Sequence, residues 1–411
     1  MRFNLPYGKK NISLDVSDKN IVPIVFKDSQ DELKPDEDSI ISIALDNPIS
    51  LARLSSLAYR KNHVCILVSD ITRPCPSYKF LPSIIHELKE AEVGEIEIVF
   101  GLGIHRNHTD EEKIKLAGEM AAKNCKLTDS DISRCKFIGS TSHNTPVEVF
   151  EDVLKSDFII ATGNIEYHYF SGYSGGSKAL MPGACSKNSI SANHSMMLED
   201  SAAAGEFFNN PVRCDIEEAG KLAGIDFIFN VILDDYKHVI GAVCGKNNEA
   251  YLEGIKLYDS IYEISVKEKA DIVITSPGGY PKDINLYQAQ KALDNVKNIV
   301  KDNGTVILVA QCTEGFGESV FEEWMADVKN YDMLHKRIKR EFILGGHKAV
   351  AVSKLLTKAR IYSYVDDKDK YFKSGFEITD NIQEFIDKEV KKNNQIKIAV
   401  VPNGRFVKFR Y

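Results

Sequence analysis

Short apolar-rich runs punctuate the first half of the chain. They are Val64–Ser69 (VCILVS), Glu95–Phe100 (EIEIVF), Phe158–Thr162 (FIIAT) and Phe227–Leu233 (FIFNVIL), and each reads as a strand. Val64–Ser69 is continuous, which predicts a strand buried on both faces, as in parallel sheets. Between the first two, Leu81, Ile84, Ile85 and Leu88 recur at helical spacing, which predicts an amphipathic helix over Ser77–Glu90. Thr109 followed by Glu112 reads as a capping box opening a helix over Glu111–Lys123. A second series of strand runs follows: Ala270–Ser276, Thr305–Gln311, Phe342–Leu344, Arg360–Val365 and Ile396–Val401. A boundary is expected between Gly245 and Lys269, giving domains 1–255 and 256–411. The tail either closes the second sheet or returns to the first domain.

Composition narrows the class. A chain of 411 residues exceeds one ordinary core, so two domains are expected. Apolar content of 43% and charged content of 27% fit a globular enzyme. The net charge of −7 argues against a nucleic-acid partner. No apolar run approaches the length of a membrane span, and Met1–Pro6 lacks a secretory apolar stretch. The eight cysteines form no Cys-x-x-Cys pair, so reduced thiols in a cytoplasmic protein are expected.

Candidate chemistry clusters after the strand runs. Asp70 and Arg73, His105, and His168 each lie just beyond the carboxyl end of a predicted strand. In open α/β sheets, ligands bind in the crevice outside those ends. An isolated histidine is usually a surface or core residue, but imidazoles so placed can exchange protons near neutral pH. Gly175, Gly176 and Ser177 lead into Lys178, a turn suited to close backbone approach to a phosphate. It is not a P-loop, because Ser177 precedes the lysine and Ala179 follows it. His194 alone is a poor metal site; if it ligates a metal, the other ligands must come from a bound cofactor. His108 is expected to be solvated, and His63, His86, His143, His238 and His335 have no supporting context. Tyr287, Gln288 and Lys291 share the first turns of a predicted helix. Arg73 and Lys291 are candidate anion clamps.

Taken in order, these motifs resemble the nickel-dependent lactate racemase family over nearly the whole chain. The matching segments are Asp70–Pro74, Gly103–Arg106, His168–Lys178 with Pro182–Gly183, the downstream His194, Ser276–Pro281 and Tyr287–Lys291. The resemblance implies an isomerase that racemises or epimerises a 2-hydroxy acid such as lactate. It implies a nickel-pincer nucleotide (pyridinium-3,5-bisthiocarboxylic acid mononucleotide) attached covalently to Lys178, with His194 as nickel ligand. Gly175, Gly176, Ser177 and Tyr287 would contact the cofactor. His105 and His168 would act as general acids and bases. Asp70, Arg73, Gln288 and Lys291 would hold the substrate. Hydride transfer from substrate C2 to the cofactor is the implied reaction, and separate maturation enzymes are implied partners.

The chain departs from the family pattern at Tyr167, where many members have proline, and at Ser171, often alanine. The family's lactate enzyme uses a C-terminal-domain tryptophan; the only tryptophan here is Trp324, and Gly345–Lys348 is a candidate for its place. The expected fold class is α/β, two domains each built on a mostly parallel sheet flanked by helices, with the active site at the domain interface. Two other functions stay open: a cofactor-free racemase using His105 and His168 as two bases, and a non-catalytic nucleotide-cofactor-binding protein. The substrate side chain and any homo-oligomer are not readable from the sequence.

Overall fold

The structure, a computed structural model, describes residues 1–24, 36–234, 236–341, 343, 345–365, 374–404 and 408–410. It divides into two compact units, one formed by Asp28–Ile261 and the other by Met1–Lys27 with Tyr262–Tyr411.

The unit Asp28–Ile261 is built on a six-stranded sheet. Its order is Val239–Gly245, Phe227–Leu233, Phe158–Asn164, His63–Ser69, Glu95–Gly101, Lys126–Asp129. All neighbours pair in parallel except the edge strand Val239–Gly245. The predicted apolar runs become its central strands because their side chains are covered on both faces. Ile66, Ile98, Ile160 and Phe229 are fully buried beside Phe80, Leu81 and Ile84 of the helix Ser77–Glu90. Strand order also locates the crevice. From His63–Ser69 the chain moves one way to Glu95–Gly101, then returns to add Phe158–Asn164 on the other side. Ligands favour such a switch point at the carboxyl ends. The capping box of Thr109 and Glu112 forms as expected. The helix it opens is split, into Asp110–Ala117 and Glu119–Asn124, by Gly118 at φ 85.

The other unit carries a five-stranded parallel sheet in the order Glu377–Ile378, Arg360–Tyr364, Val300–Val309, Ala270–Thr275, Ile398–Val401. The tail strand therefore closes the second sheet. The N-terminal hairpin, Arg2–Tyr7 and Lys10–Asp15, belongs to this unit although the sequence reading placed it with residues 1–255. The reason is packing: Leu5, Tyr7, Leu14 and Val16 share a core with Ile272, Ile274, Ile307 and Ile398. A division at 255/256 would also cut the helix Asn247–Tyr262, whereas the units part at its end. Phe342 and Leu344, read as strand residues, lie outside the described residues. No helix among the described residues is long and apolar enough to cross a membrane.

Candidate active site

Three loops leave the carboxyl ends of adjacent strands. The first follows His63–Ser69 and carries Asp70 and Arg73. Asp70 is buried, and its Oδ1 accepts from the Thr72 N–H (2.9 Å) and hydroxyl (2.6 Å). Its Oδ2 pairs with His105 Nδ1, so the proton of neutral His105 sits on Nδ1 and Nε2 is left as the acceptor. Burial raises the Asp70 pKa, but the bonds from Thr72 and His105 outweigh it and hold the carboxyl below its ordinary range.

The second loop follows Glu95–Gly101 and carries His105, whose ring is 42% exposed and so reachable by a substrate. Gly103 N–H donates to Gly183 O (2.8 Å), which ties this loop to the segment after Lys178. The contact is tight. A Cβ on Gly101 would lie 2.9 Å from Gly183 Cα. His108 corrects the sequence reading, for it is buried rather than solvated. Its Nδ1 pairs with Asp129 (2.7 Å) and its Nε2 accepts from the Ile71 N–H (3.1 Å), so it fixes the Asp70 loop.

The third loop follows Phe158–Asn164. Tyr167–His168 and Gly172–Tyr173 form a minimal antiparallel hairpin, with His168 opposite Gly172. The Ser171 N–H donates to His168 Nδ1 (3.3 Å), which favours the neutral form protonated on Nε2. The chain then turns through Gly175 (φ 80) and Gly176 (φ 59) into Lys178. The turn is braced from behind. Arg213 donates to the carbonyls of Tyr173 and Gly175 (both 3.1 Å), pairs with Glu217 and stacks on Tyr251 at 4.1 Å. Gly176 N–H donates to Asn230 Oδ1 (2.9 Å). The Ser177 hydroxyl donates to Glu217 (2.7 Å) and accepts from Asn247 (2.8 Å). Ser177's side chain and Gly176's amide are thus engaged inside the protein.

His194 lies near the end of the helix Lys187–Ser195. The Phe170 ring meets His168 at 4.6 Å and His194 at 4.9 Å, edge to face, which brings the two imidazoles to one aromatic spacer. Buried Asn193 is fixed by bonds from its Nδ2 to Val212 O (3.1 Å) and Asp215 (2.8 Å). Its Oδ1 therefore faces His194 Nδ1 (3.2 Å) as an acceptor, leaving Nε2 with the lone pair.

The electrostatics join these loops. Burial, then Lys178 and Arg73, lower the His194 pKa to about 4. Burial first, then Lys178, Arg73 and His194, hold His168 well below its ordinary value. Burial, then Arg73 and Arg213, lower Lys178, with Glu166 opposing. At neutral pH the neutral imidazoles of His168 and His194 stand with an amine inclined to lose its proton and an exposed arginine. Such a place favours an anion, and a neutral imidazole can ligate a metal without releasing a proton.

In the other unit, Tyr287, Gln288 and Lys291 open the helix Leu286–Val296, whose Asn285 cap accepts from Gln288 N–H (3.0 Å). Lys291 Nζ donates to Gln288 Oε1 (2.9 Å). Buried Lys348 donates to Tyr287 O (2.8 Å), with its ammonium 3.4 Å from the Tyr287 ring centroid. Trp324 is wholly buried, and a Cβ on Gly346 would lie 3.0 Å from its ring atoms. It is a core residue of this unit.

Among the described residues, one group of metal-capable side chains has its ligand atoms within 4.8 Å of one another: His63, Glu95 and Glu97. It sits at the amino ends of its strands, away from His105 and His168. Glu97 is already paired with Lys126 (2.9 Å) and His63 (3.1 Å).

A family model described as the lactate racemase N-terminal domain matches residues 7–205, and one described as the lactate racemase C-terminal domain matches residues 265–408. The chain is 32% identical to the lactate racemase of Thermoanaerobacterium thermosaccharolyticum, over 97% of each chain. It belongs to the lactate racemase family. The lactate racemase of Lactiplantibacillus plantarum is 30% identical over 98% of each chain. The solved lactate racemase apoprotein from T. thermosaccharolyticum matches with a TM-score of 0.88 at 31% identity, covering 100% of both chains. A crystal structure of a Thermotoga maritima protein, 16% identical, shares the fold at a TM-score of 0.59, over 92% of this chain and 100% of that one.

Around the motifs stand residues that sequence reasoning missed: Asn193, Arg213, Asn230, Tyr251, and Asp259, which accepts from the Tyr167 and Tyr173 hydroxyls. One signal was available. Asn247, Tyr251, Gly254 and Tyr258 recur at helical spacing on the face of Asn247–Tyr262 that meets the third loop.

Proposed function

We propose that this protein racemises lactate or a closely related 2-hydroxy acid, using a nickel-pincer nucleotide tethered to Lys178. The observation that carries the reading is the gathering of Lys178, His168, His194 and Arg73 in one electrostatic cluster at the switch point, with His105 on the adjacent loop. The donor set suits the cofactor. Lys178 is held toward the neutral amine that covalent attachment needs. His194 offers a neutral Nε2 with its other nitrogen fixed by Asn193. When bound, the cofactor would accept the C2 hydride and return it to either face of a planar 2-keto acid.

The remaining steps belong to the chain's own side chains. His105 takes the hydroxyl proton of one enantiomer at Nε2, and Asp70 stabilises the imidazolium that forms. His168 serves the other enantiomer. Its Nε2 becomes an acceptor when the ring proton moves to Nδ1, at the cost of the long Ser171 contact. The family resemblance gives Lys291 and Gln288 a substrate role and Tyr287 a cofactor role. In the unit Asp28–Ile261, Arg73 would hold the substrate carboxylate, and Gly175, Gly176 and Ser177 would contact the nucleotide. Of the turn residues, Gly176 and Ser177 would do so by packing, since their polar groups are engaged.

Protein made alongside cofactor maturation enzymes tests this reading. Lys178→Ala should lose both the covalent adduct, by intact mass, and all racemisation. His194→Ala should lose nickel while keeping most of the adduct. Full racemisation by Lys178→Ala would overturn the tether, and unchanged nickel in His194→Ala would exclude it as ligand.

A further inference from the structure

Tyr167 is one of the two positions where the chain departs from the family pattern, and nothing in the chemistry above uses it. Its phenol donates to Asp259 Oδ1 (2.9 Å). Directly across the hairpin, Tyr173 donates to the same carboxylate, at 3.0 Å to Oδ1 and 2.8 Å to Oδ2. The two rings lie 5.5 Å apart, and Tyr258 meets Tyr167 edge-on at 4.8 Å. Asp259 and Tyr258 sit on the helix Asn247–Tyr262, which also binds the loop through Tyr251, whose hydroxyl donates to Ser174 O (2.7 Å).

The hairpin has two residues in each strand, too few to fix its own orientation. Its connection, Tyr169–Ser171, is short, and Phe170 within it is buried against the His168 ring. Bonds from Arg213 and Gly205 to backbone carbonyls hold the Gly172–Tyr173 side, and Asn210 holds the Phe170 carbonyl. The carboxylate of Asp259 is the group on which both strands converge, one phenol from each. His168 is the residue after Tyr167 and pairs with the residue before Tyr173. We propose that Asp259, gripped by Tyr167 and Tyr173, is a positioning group that sets the place of the His168 imidazole. The proposal rests on the reading of His168 as an acid–base group. A hydrogen-bonded charge on the helix supplies the rigidity that the short hairpin lacks. Displacing a reacting group by about 1 Å can cost about a hundredfold in rate.

Two variants test it. Tyr167→Phe keeps the ring packing and Tyr173's grip, so the fold is preserved. Asp259→Asn removes the charge and weakens both grips. In apoprotein with 15N-labelled histidine, the His168 ring signals, assigned by their loss in His168→Gln, should shift in both variants, more in Asp259→Asn. The His105 and His63 signals should stay in place. In matured protein, single-turnover formation of 2-keto acid is then measured from each enantiomer. The enantiomer whose reaction His168→Gln abolishes should slow about tenfold in Tyr167→Phe and up to about a hundredfold in Asp259→Asn. The other enantiomer should react at the parent rate. Unmoved His168 signals, or equal slowing of both enantiomers, overturn the proposal. If His168→Gln spares both enantiomers, the acid–base reading of His168 fails, while the ring signals still decide whether Asp259 positions it.

Discussion

Which nitrogen of an imidazole works is decided by what its other nitrogen touches. Asp70 accepts from the Nδ1–H of His105, and the bonds from Thr72 and His105 keep Asp70 ionised. Asp70→Asn puts an amide donor or an uncharged acceptor there and weakens the tautomer with a free Nε2. Because every turnover passes through His105, racemisation should then slow about 10²–10⁴-fold in both directions, read as kcat in matured protein. An unchanged kcat, with His105→Ala inactive, would contradict the dyad. Lys178 supplies a test without cofactor. Burial, with Arg73 and Arg213, lowers its folded pKa below the ordinary 10.5. Between the folded value and 10.5 the unfolded chain binds more protons, so this group's contribution to stability rises with pH. The penalty stands in full below that window and vanishes above it. Lys178→Met apoprotein should therefore show a higher urea midpoint than the parent at pH 7, with the gain shrinking toward pH 10.5. A midpoint that is equal or lower at pH 7 would mean the lysine is not held toward neutrality. These residue-scale features were only half legible. Asp70, Arg73, His105, His168, Lys178 and His194 stand in readable motifs. Asn193 and Arg213 do not, because their partners are backbone carbonyls and carboxylates distant in sequence.

At the scale of elements, the glycine turn before Lys178 is shaped by close approach. Gly176 has φ 59, and a Cβ there would lie 2.8 Å from Arg213 Nη2 and 3.0 Å from the Tyr251 ring. Gly176→Ala should cost about 1–3 kcal/mol of stability through strain and overpacking, measured as a lower urea midpoint with unchanged slope. It should also lower cofactor attachment, because the brace from Arg213 to the turn must shift. A midpoint within error of the parent would show that the turn is not under this constraint. The strands were legible because parallel strands covered on both faces are rich in apolar residues, as His63–Ser69 and Phe158–Asn164 are. The hairpin at His168 was not, since two-residue strands carry no period. The helix Asn247–Tyr262 falls within the stretch where a domain boundary is expected from the sequence; its buried face is built from Tyr251, Gly254, Ile255 and Tyr258.

At the scale of the whole molecule, both sheets follow the α/β pattern that alternating strand and helix runs imply, and the motifs ordered along the chain point to the family that the comparisons establish. The N-terminal hairpin joining the unit of Tyr262–Tyr411 was not readable, because a strand run does not name its partner sheet. Domain membership is set by long-range packing, whereas strand existence is set locally. The central claim is that the chain racemises a 2-hydroxy acid by moving the C2 hydrogen as hydride rather than by exchanging it as a proton. Lactate bearing deuterium at C2, incubated with matured protein in ordinary water, tests this most directly. The account predicts that the opposite enantiomer forms with its C2 deuterium retained. Racemisation with the label washed into solvent would contradict it and favour proton exchange by His105 and His168 alone.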